Sequence, residues 1–349
     1  MPLKVTTWNI EHSSELLDQN PSPNITDRIN RIRETIEEID PDILLIVEGP
    51  KGEQKIIDFC NVVLNNQWVP VLLKQQGDAI GDRDDEYGYD GRGTQWMWFV
   101  VKPAQHGRCS IQKADVWHAF VGSPKWNVNY WGQIEMEDHE HYRMPQVLIY
   151  DLGNGQAMEL IGVHLKSKIN RAAITRDANG NLTGAYLETA LKARVKLATE
   201  ARNIREYINA KFEQLPSPGI MLLGDANDGP GNDYFEFRYL FFDLIQNLQG
   251  EVLLAERFFN HALFDFPAHL RWTAKFRDEI ASIPASQNPL LLDHILMSQP
   301  LCNGSLSLIV NAGNGNVEHE AFERGNAGSN SNTRSSDHRP VSCTLDDNP

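Results

Sequence analysis

The stretch Asp42-Ile43-Leu44-Leu45-Ile46-Val47-Glu48 sets five consecutive apolar residues between two acids. An unbroken Ile, Leu and Val run of this length suits a strand buried on both faces, and Glu48 stands at its carboxyl end. Upstream, Ile25, Ile29, Ile32, Ile36 and Ile39 recur at helical spacing. A helix is therefore predicted over residues 26–40, stopped by Pro41. Residues 4–10 read as a first strand. The unit is strand, helix, strand, and its second strand ends in a carboxylate, where open α/β sheets collect ligands.

Six further apolar runs, at residues 96–101, 146–152, 158–163, 220–223, 291–297 and 341–345, read as strands separated by turn-forming residues. A long helix is expected over residues 186–211, with Leu187, Leu191, Val195, Ala198, Ala201, Ile204 and Ile208 on its buried side. Many strands and few helices make this an α/β chain of two packed sheets with helices outside. Residues 82–92, 168–184 and 311–335 read as loops, the last rich in Gly, Asn and Ser. No internal repeat or interdomain linker is visible, and polar motifs spread over the whole length imply one domain, 1–349.

The net charge of −15 argues against broad, sequence-independent adhesion to nucleic acid or anionic membrane. It leaves room for a phosphate substrate in a local basic groove. Cys60, Cys109, Cys302 and Cys343 show no CxxC spacing, so free thiols are expected rather than a disulfide scaffold. No apolar run has the length of a membrane span, and the expected location is cytoplasmic, or secreted if a signal peptide has been removed.

Chemistry gathers at the ends of the apolar runs. Asp225 and Asn227 follow Ile220-Met221-Leu222-Leu223, two apart, so they could jointly grip a water and a phosphate oxygen; the alternative is an Asx turn. His164 and Lys166 share a face by the same alternation, as a hydrogen-bond donor and a positive charge. In Asp337-His338, adjacent residues face different ways. Asp337 could bind metal while His338 turns toward a carboxylate, for which Asp293 is the candidate.

Taken in order, Trp8-Asn9-Ile10-Glu11, Glu48, His164-Leu165-Lys166-Ser167, Gly224-Asp225-Ala226-Asn227, Asp293-His294-Ile295-Leu296 and Ser336-Asp337-His338-Arg339-Pro340 resemble the endonuclease/exonuclease/phosphatase superfamily, over about residues 5–345. The resemblance implies a four-layer sandwich of two packed mixed β-sheets flanked by helices, with a Mg²⁺ or Mn²⁺ site at one edge. It implies Glu48 as principal metal ligand with Glu11 and Asp337 near it, and Asn9 and Asn227 as phosphate-orienting amides. Asp225 would align the attacking water, and His338 supported by Asp293 would form the catalytic histidine pair. His164 resembles the second histidine of the phosphodiesterase branches, and Arg143, before Met144-Pro145, resembles an arginine that contacts substrate phosphate. The motifs are most similar to bacterial nuclease-type members, which implies a metal-dependent nuclease acting on DNA or RNA. A phosphatase or phospholipase acting on a small or lipid phosphate is the alternative, and a binding module that has lost catalysis is a further one.

Arg143 and Lys166, with Lys168 or Arg171, are expected to form the basic groove. Asp177-Ala178-Asn179-Gly180-Asn181 resembles a calcium loop but has Leu182 at its sixth position, so a turn is expected. His139 and His141 sit in a charged run read as a solvated loop, and Trp126, Tyr130 and Trp131 are candidates to stack bases.

Overall fold

The computed structural model describes residues 2–73, 83–89, 93, 95–121, 126–130, 133–137 and 141–348, without the side chains of 126–130 and 133–137. The expected first unit forms as β1 (Leu3–Asn9), α1 (Pro23–Ile39) and β2 (Ile43–Gly49). Ser22 caps α1, accepting from the amide of Ile25, and Pro23 fills the first helical position, where a missing N–H costs nothing. The helix ends on Asp40 at φ 52°, one residue before Pro41. Ile29, Ile32, Ile36 and Ile39 are buried, each contributing roughly 1.5–3 kcal/mol over an exposed position.

Continuing along the chain are α2 (Glu53–Val62), β3 (Trp96–Val101), β4 (Gln146–Gly153), β5 (Gln156–His164), α3 (Gly184–Gln214), β6 (Gly219–Asp225), β7 (Asp293–Met297), α4 (His319–Gly325) and β8 (Val341–Asp347). The first large sheet runs Leu308–Ile309, β8, β1, β2, β3, Val69–Pro70, with Gly315–Val317 also on β8. The second runs Asn260–His261, β7, β6, β5, β4, Cys109–Ile111. Both share one plan. A central parallel pair, β1 with β2 or β5 with β6, is flanked by antiparallel strands. Each parallel pair is joined through a helix, α1 or α3, as parallel neighbours require.

Side-chain alternation makes the layers. Ile43, Leu45 and Val47 face Leu148, Leu160, Met221 and Leu223 of the other sheet, whereas Leu44 and Ile46 pack outward with Ile32, Ile36, Ile56 and Phe59. Ile220 and Leu222 face Leu197, Ala201, Ile204 and Ile208 of α3. The result is the four-layer α/β sandwich: helices, two mixed sheets, helices. The sheets come close at Gly162, where a Cβ would meet Leu45 Cδ1 at 2.8 Å.

Several details differ from the sequence reading. Residues 311–335 are not all loop: Val317, Ala321 and Phe322 bury apolar surface, so a strand and α4 form there. Along α3, Val195 and Ala198 are only half-buried, and Leu197 takes the core position instead. The charged run holds a strand, Gln133–Glu137, paired with Trp126–Tyr130, and His141 beyond it is buried rather than solvated. His139, Trp131 and the side chains of Trp126 and Tyr130 lie outside what is described. All four cysteines are free. Among the described residues no helix is long and apolar enough to cross a membrane.

Candidate active site

The topology delivers the polar strand ends to one edge. Asn9 and Glu48 lie at the carboxyl ends of β1 and β2, and Asp225 is in register with both His164 on β5 and Asp293, which opens the antiparallel β7. His338 precedes β8, next to the end of β1, where Trp8 donates its indole N–H to the His338 carbonyl at 2.9 Å. Gly224 lets β6 approach β5: at φ 137° its Cβ would lie 2.0 Å from the Val163 carbonyl oxygen.

Three side chains meet at the centre. His338 Nδ1 is 2.7 Å from Asp293 Oδ2, with both residues buried. Asp225 Oδ2 accepts from Asn9 Nδ2 at 3.0 Å and lies 3.7 Å from His164 Nε2. Burial pushes the Asp225 carboxyl above its usual range; His338 opposes this rise and the Asp293 charge adds to it. For His338 burial disfavours the imidazolium, but Asp293 and Asp225 outweigh it and raise the histidine well above its ordinary value. His164 goes the other way, well below its ordinary value, through burial and the nearby cationic Arg143.

Around this centre Glu48, the penultimate residue of β2, has φ 59°, where the pairing of β2 with β3 shifts register between Ile46 and Gly49. Its Oε2 accepts from the His12 amide at 3.1 Å and from Gln95 Nε2 at 2.5 Å, and its Oε1 is 3.9 Å from His164 Nε2. Gln95 Oε1 in turn accepts from Arg143 Nη2 at 2.8 Å. Glu11 and Asp337 flank a guanidinium, with Arg334 Nη2 at 3.6 and 3.8 Å from their carboxylate oxygens. Asn227 makes the Asx turn, its backbone amide donating to Asp225 Oδ1 at 2.8 Å, and its side chain donates to the Leu165 carbonyl at 2.9 Å.

Among the described residues, the group of three whose ligand atoms all lie within 4.8 Å is Asp225, Asp293 and His338, an arrangement that could hold a metal. Among the described residues Glu11, Glu48 and Asp337 form no group so close, and each carboxylate faces a nearby donor or cation. As a donor set they offer only oxygen, each part-exposed. This suits a hard divalent cation better than a site containing His338, whose Nδ1 is already bonded to Asp293.

Lys166 lies beyond β5, half-buried, its amide donating to Glu200 Oε2 at 2.7 Å. Lys168 is not free to form a groove: its ammonium is held by Asp228, by Asp233 at 3.2 Å and by Glu236 at 2.7 Å. Arg171 is exposed. Asp177 is the expected turn, with Oδ1 accepting from the amides of Asn179 and Asn181.

Several contributors escaped the sequence reading. Arg28 holds the carbonyls of Ile10, Glu11 and Ser335, fixing the loops that carry Glu11 and Asp337. A charge at 28 on the buried isoleucine stripe was the available signal. Ser336 Oγ ties the Asn9 carbonyl to the His338 amide, and Phe276 lies with its ring centroid 5.9 Å from that of His338. Ser336 stands in the motif quoted above, where no role was given to it, and Phe276 carried no signal.

Two mixed sheets packed face to face, each built around a parallel pair and carrying its polar strand ends to one edge, make a fold that solved structures share. The solved structure of truncated TDP2 from Caenorhabditis elegans is similar over 99% of this chain and 98% of its own, with a TM-score of 0.51 and 13% identity. A second structure of TDP2 from that organism gives a TM-score of 0.51 at 12% identity, over 99% of this chain and 75% of that one. No family model and no curated protein matches the sequence.

Proposed function

We propose that this chain is a divalent-metal-dependent phosphodiesterase, a nuclease hydrolysing DNA or RNA by in-line attack of water. The observation that carries the reading is the buried contact of His338 with Asp293 beside Asp225, which is itself held by Asn9. Asp225, its affinity for protons raised by burial, takes the proton from the attacking water. His338 keeps its proton and donates to a phosphoryl oxygen, while Asp293 fixes its orientation. Asn9 and Asn227 hold Asp225 in place, and His164 is a neutral hydrogen-bonding group beside it. Arg143 and Lys166 supply positive charge to the substrate phosphate. Glu48, Glu11 and Asp337 would hold Mg²⁺ or Mn²⁺, which when bound offsets charge developing on the leaving oxygen. No covalent intermediate is required.

A nucleic-acid substrate is favoured by what lines the cleft beside His338. Phe276 is 38% exposed with its ring near His338, and close by Lys275 Nζ and the Arg339 guanidinium lie 4.1 and 3.9 Å from the Trp272 ring centroid. Aromatic faces with nearby cations suit bases and their phosphates. The testing experiment gives the purified protein single- and double-stranded DNA, RNA, bis-p-nitrophenyl phosphate and p-nitrophenyl phosphate, each with Mg²⁺, Mn²⁺ or EDTA. Turnover of polymer and diester above monoester, abolished by EDTA, is expected. Preference for the monoester would replace the nuclease reading by a phosphatase, and no turnover would replace it by a binding module.

A further inference from the structure

Arg143 and Lys166 come from different connections, one entering β4 and the other leaving β5, yet one side chain binds the backbone beside both. Glu200, near the middle of α3, is buried, 4% exposed. Its Oε2 accepts from the Lys166 amide at 2.7 Å and its Oε1 from the Tyr142 amide, next to Arg143, at 3.4 Å. Its neighbours on the helix, Leu197, Ala201 and Ile204, are core residues. A carboxylate in such company is costly unless its oxygens are used, and here each oxygen serves one loop. Among the described residues it has no ion-pair partner within salt-bridge distance. Burial pushes it up to about 7, against the two amides and the charges of Arg143 and Lys166.

Arg143 is poised in a related way: Nη2 is bonded to Gln95, while its buried Nε has no partner among the described residues. Lys166 feels the Arg143 charge, which, after burial, helps to lower its affinity for protons. Two cations that repel each other are thus held near one another by a buried acceptor behind them. An anion between them would relieve the repulsion.

We infer that Glu200 is a positioning residue, a bracket that holds Arg143 and Lys166 as a pair for a substrate phosphate. The inference rests on the phosphodiesterase reading for its substrate. The chemistry of the bracket is specific. Two N–H donors need two acceptor oxygens; glutamine offers one and turns an NH₂ against the other donor, and aspartate is one methylene short.

The test is Glu200→Gln, first checked for native circular dichroism and cooperative melting. Loss of a hydrogen bond to a charged acceptor should raise KM for bis-p-nitrophenyl phosphate roughly tenfold, with kcat nearly unchanged. Affinity for inorganic phosphate by calorimetry should fall by a similar factor, and affinity for Mg²⁺ should not change. A folded variant with wild-type phosphate affinity, or one that loses kcat with KM unchanged, would overturn the bracket. Wild-type protein that turns over no phosphodiester while Glu200→Gln still loses phosphate affinity would sink the proposed activity and leave the bracket standing. If the variant does not fold, hydrogen exchange of the wild type decides: phosphate should further protect the Lys166 amide, and no added protection would overturn the inference.

Discussion

The side-chain amide of Asn9 donates to Oδ2 of Asp225 at 3.0 Å, and this bond runs from one sheet to the other. Asn9 Oδ1 accepts from the Glu11 amide at 3.1 Å, so the orientation of the side chain is settled at both ends. Strands that belong to separate sheets thereby fix a single carboxylate. Asn9→Ala should lower kcat about 10- to 100-fold at saturating metal, the value of one hydrogen bond to a charged group. Asn9→Asp should be worse, since it sets a second carboxylate against Asp225. Steady-state rates with a diester substrate check both, and a wild-type rate for Asn9→Ala would remove the bond from the mechanism.

His338 and Asp293 should behave as a unit. His338→Ala should reduce turnover about 10²- to 10⁴-fold, as removal of a positioned acid or base does. Asp293→Asn should give a milder form of the same defect, because it keeps the imidazole but loses the charge that orients it. The double variant should then be little slower than His338→Ala. Multiplicative losses in the cycle would show that Asp293 acts on something other than the histidine.

The parts of this molecule governed by local pattern were legible in the sequence. Residues 43–47 and 220–223 are apolar because both faces of their strands are covered, and the α1 stripe follows from one buried side. The sheet partners of those strands are set by long-range pairing that no window of sequence contains. Glu200 and Gln95 were missed for this reason, since each acts on loops tens of residues away. Residues 311–335 misled because Gly and Asn dominate the count, while Val317, Ala321 and Phe322, few in number, decide the structure. At the site, residue types indicated carboxylates and histidines, but not that Arg334 stands between Glu11 and Asp337.

That arginine has a consequence for metal binding. Its guanidinium occupies the space between two carboxylates proposed as ligands, so it competes with the cation they would hold. Arg334 is 41% exposed and its contacts are 3.6 and 3.8 Å long, which limits its hold to about 0.2–1 kcal/mol. Arg334→Ala should therefore tighten Mg²⁺ or Ca²⁺ binding about two- to fivefold by calorimetry. The gain should shrink as salt rises, because exposed charges are screened. Weaker metal binding in the variant would mean that Arg334 organises the carboxylates rather than opposing the ion.

Two buried groups away from the metal ligands should shape stability in opposite directions with pH. Among the described residues neither ring nitrogen of His141 has a hydrogen-bond partner, and burial holds it down at about 3. The unfolded chain protonates this histidine near 6.5, so its contribution is complete above that pH and is lost as pH falls toward 3. Glu200, pushed up to about 7 by burial, holds its proton more tightly when folded than its ordinary value of 4.5 implies. Its contribution is complete below 4.5 and is lost as pH rises through 7. Between 4.5 and 6.5 the two slopes oppose each other, each up to ~1.4 kcal/mol per pH unit for a full proton difference. His141→Phe keeps an aromatic ring near Trp117 and leaves only the glutamate slope, so its stability should rise relative to wild type by about 2 kcal/mol from pH 6.5 to 5. Glu200→Gln should lose stability relative to wild type over the same interval, whatever constant offset its altered hydrogen bonds add. Other titrating groups are common to the three proteins and cancel in the comparison. Urea unfolding at pH 5, 5.5, 6 and 6.5 reads these slopes directly, and parallel curves for all three proteins would show that neither His141 nor Glu200 changes its proton affinity on folding.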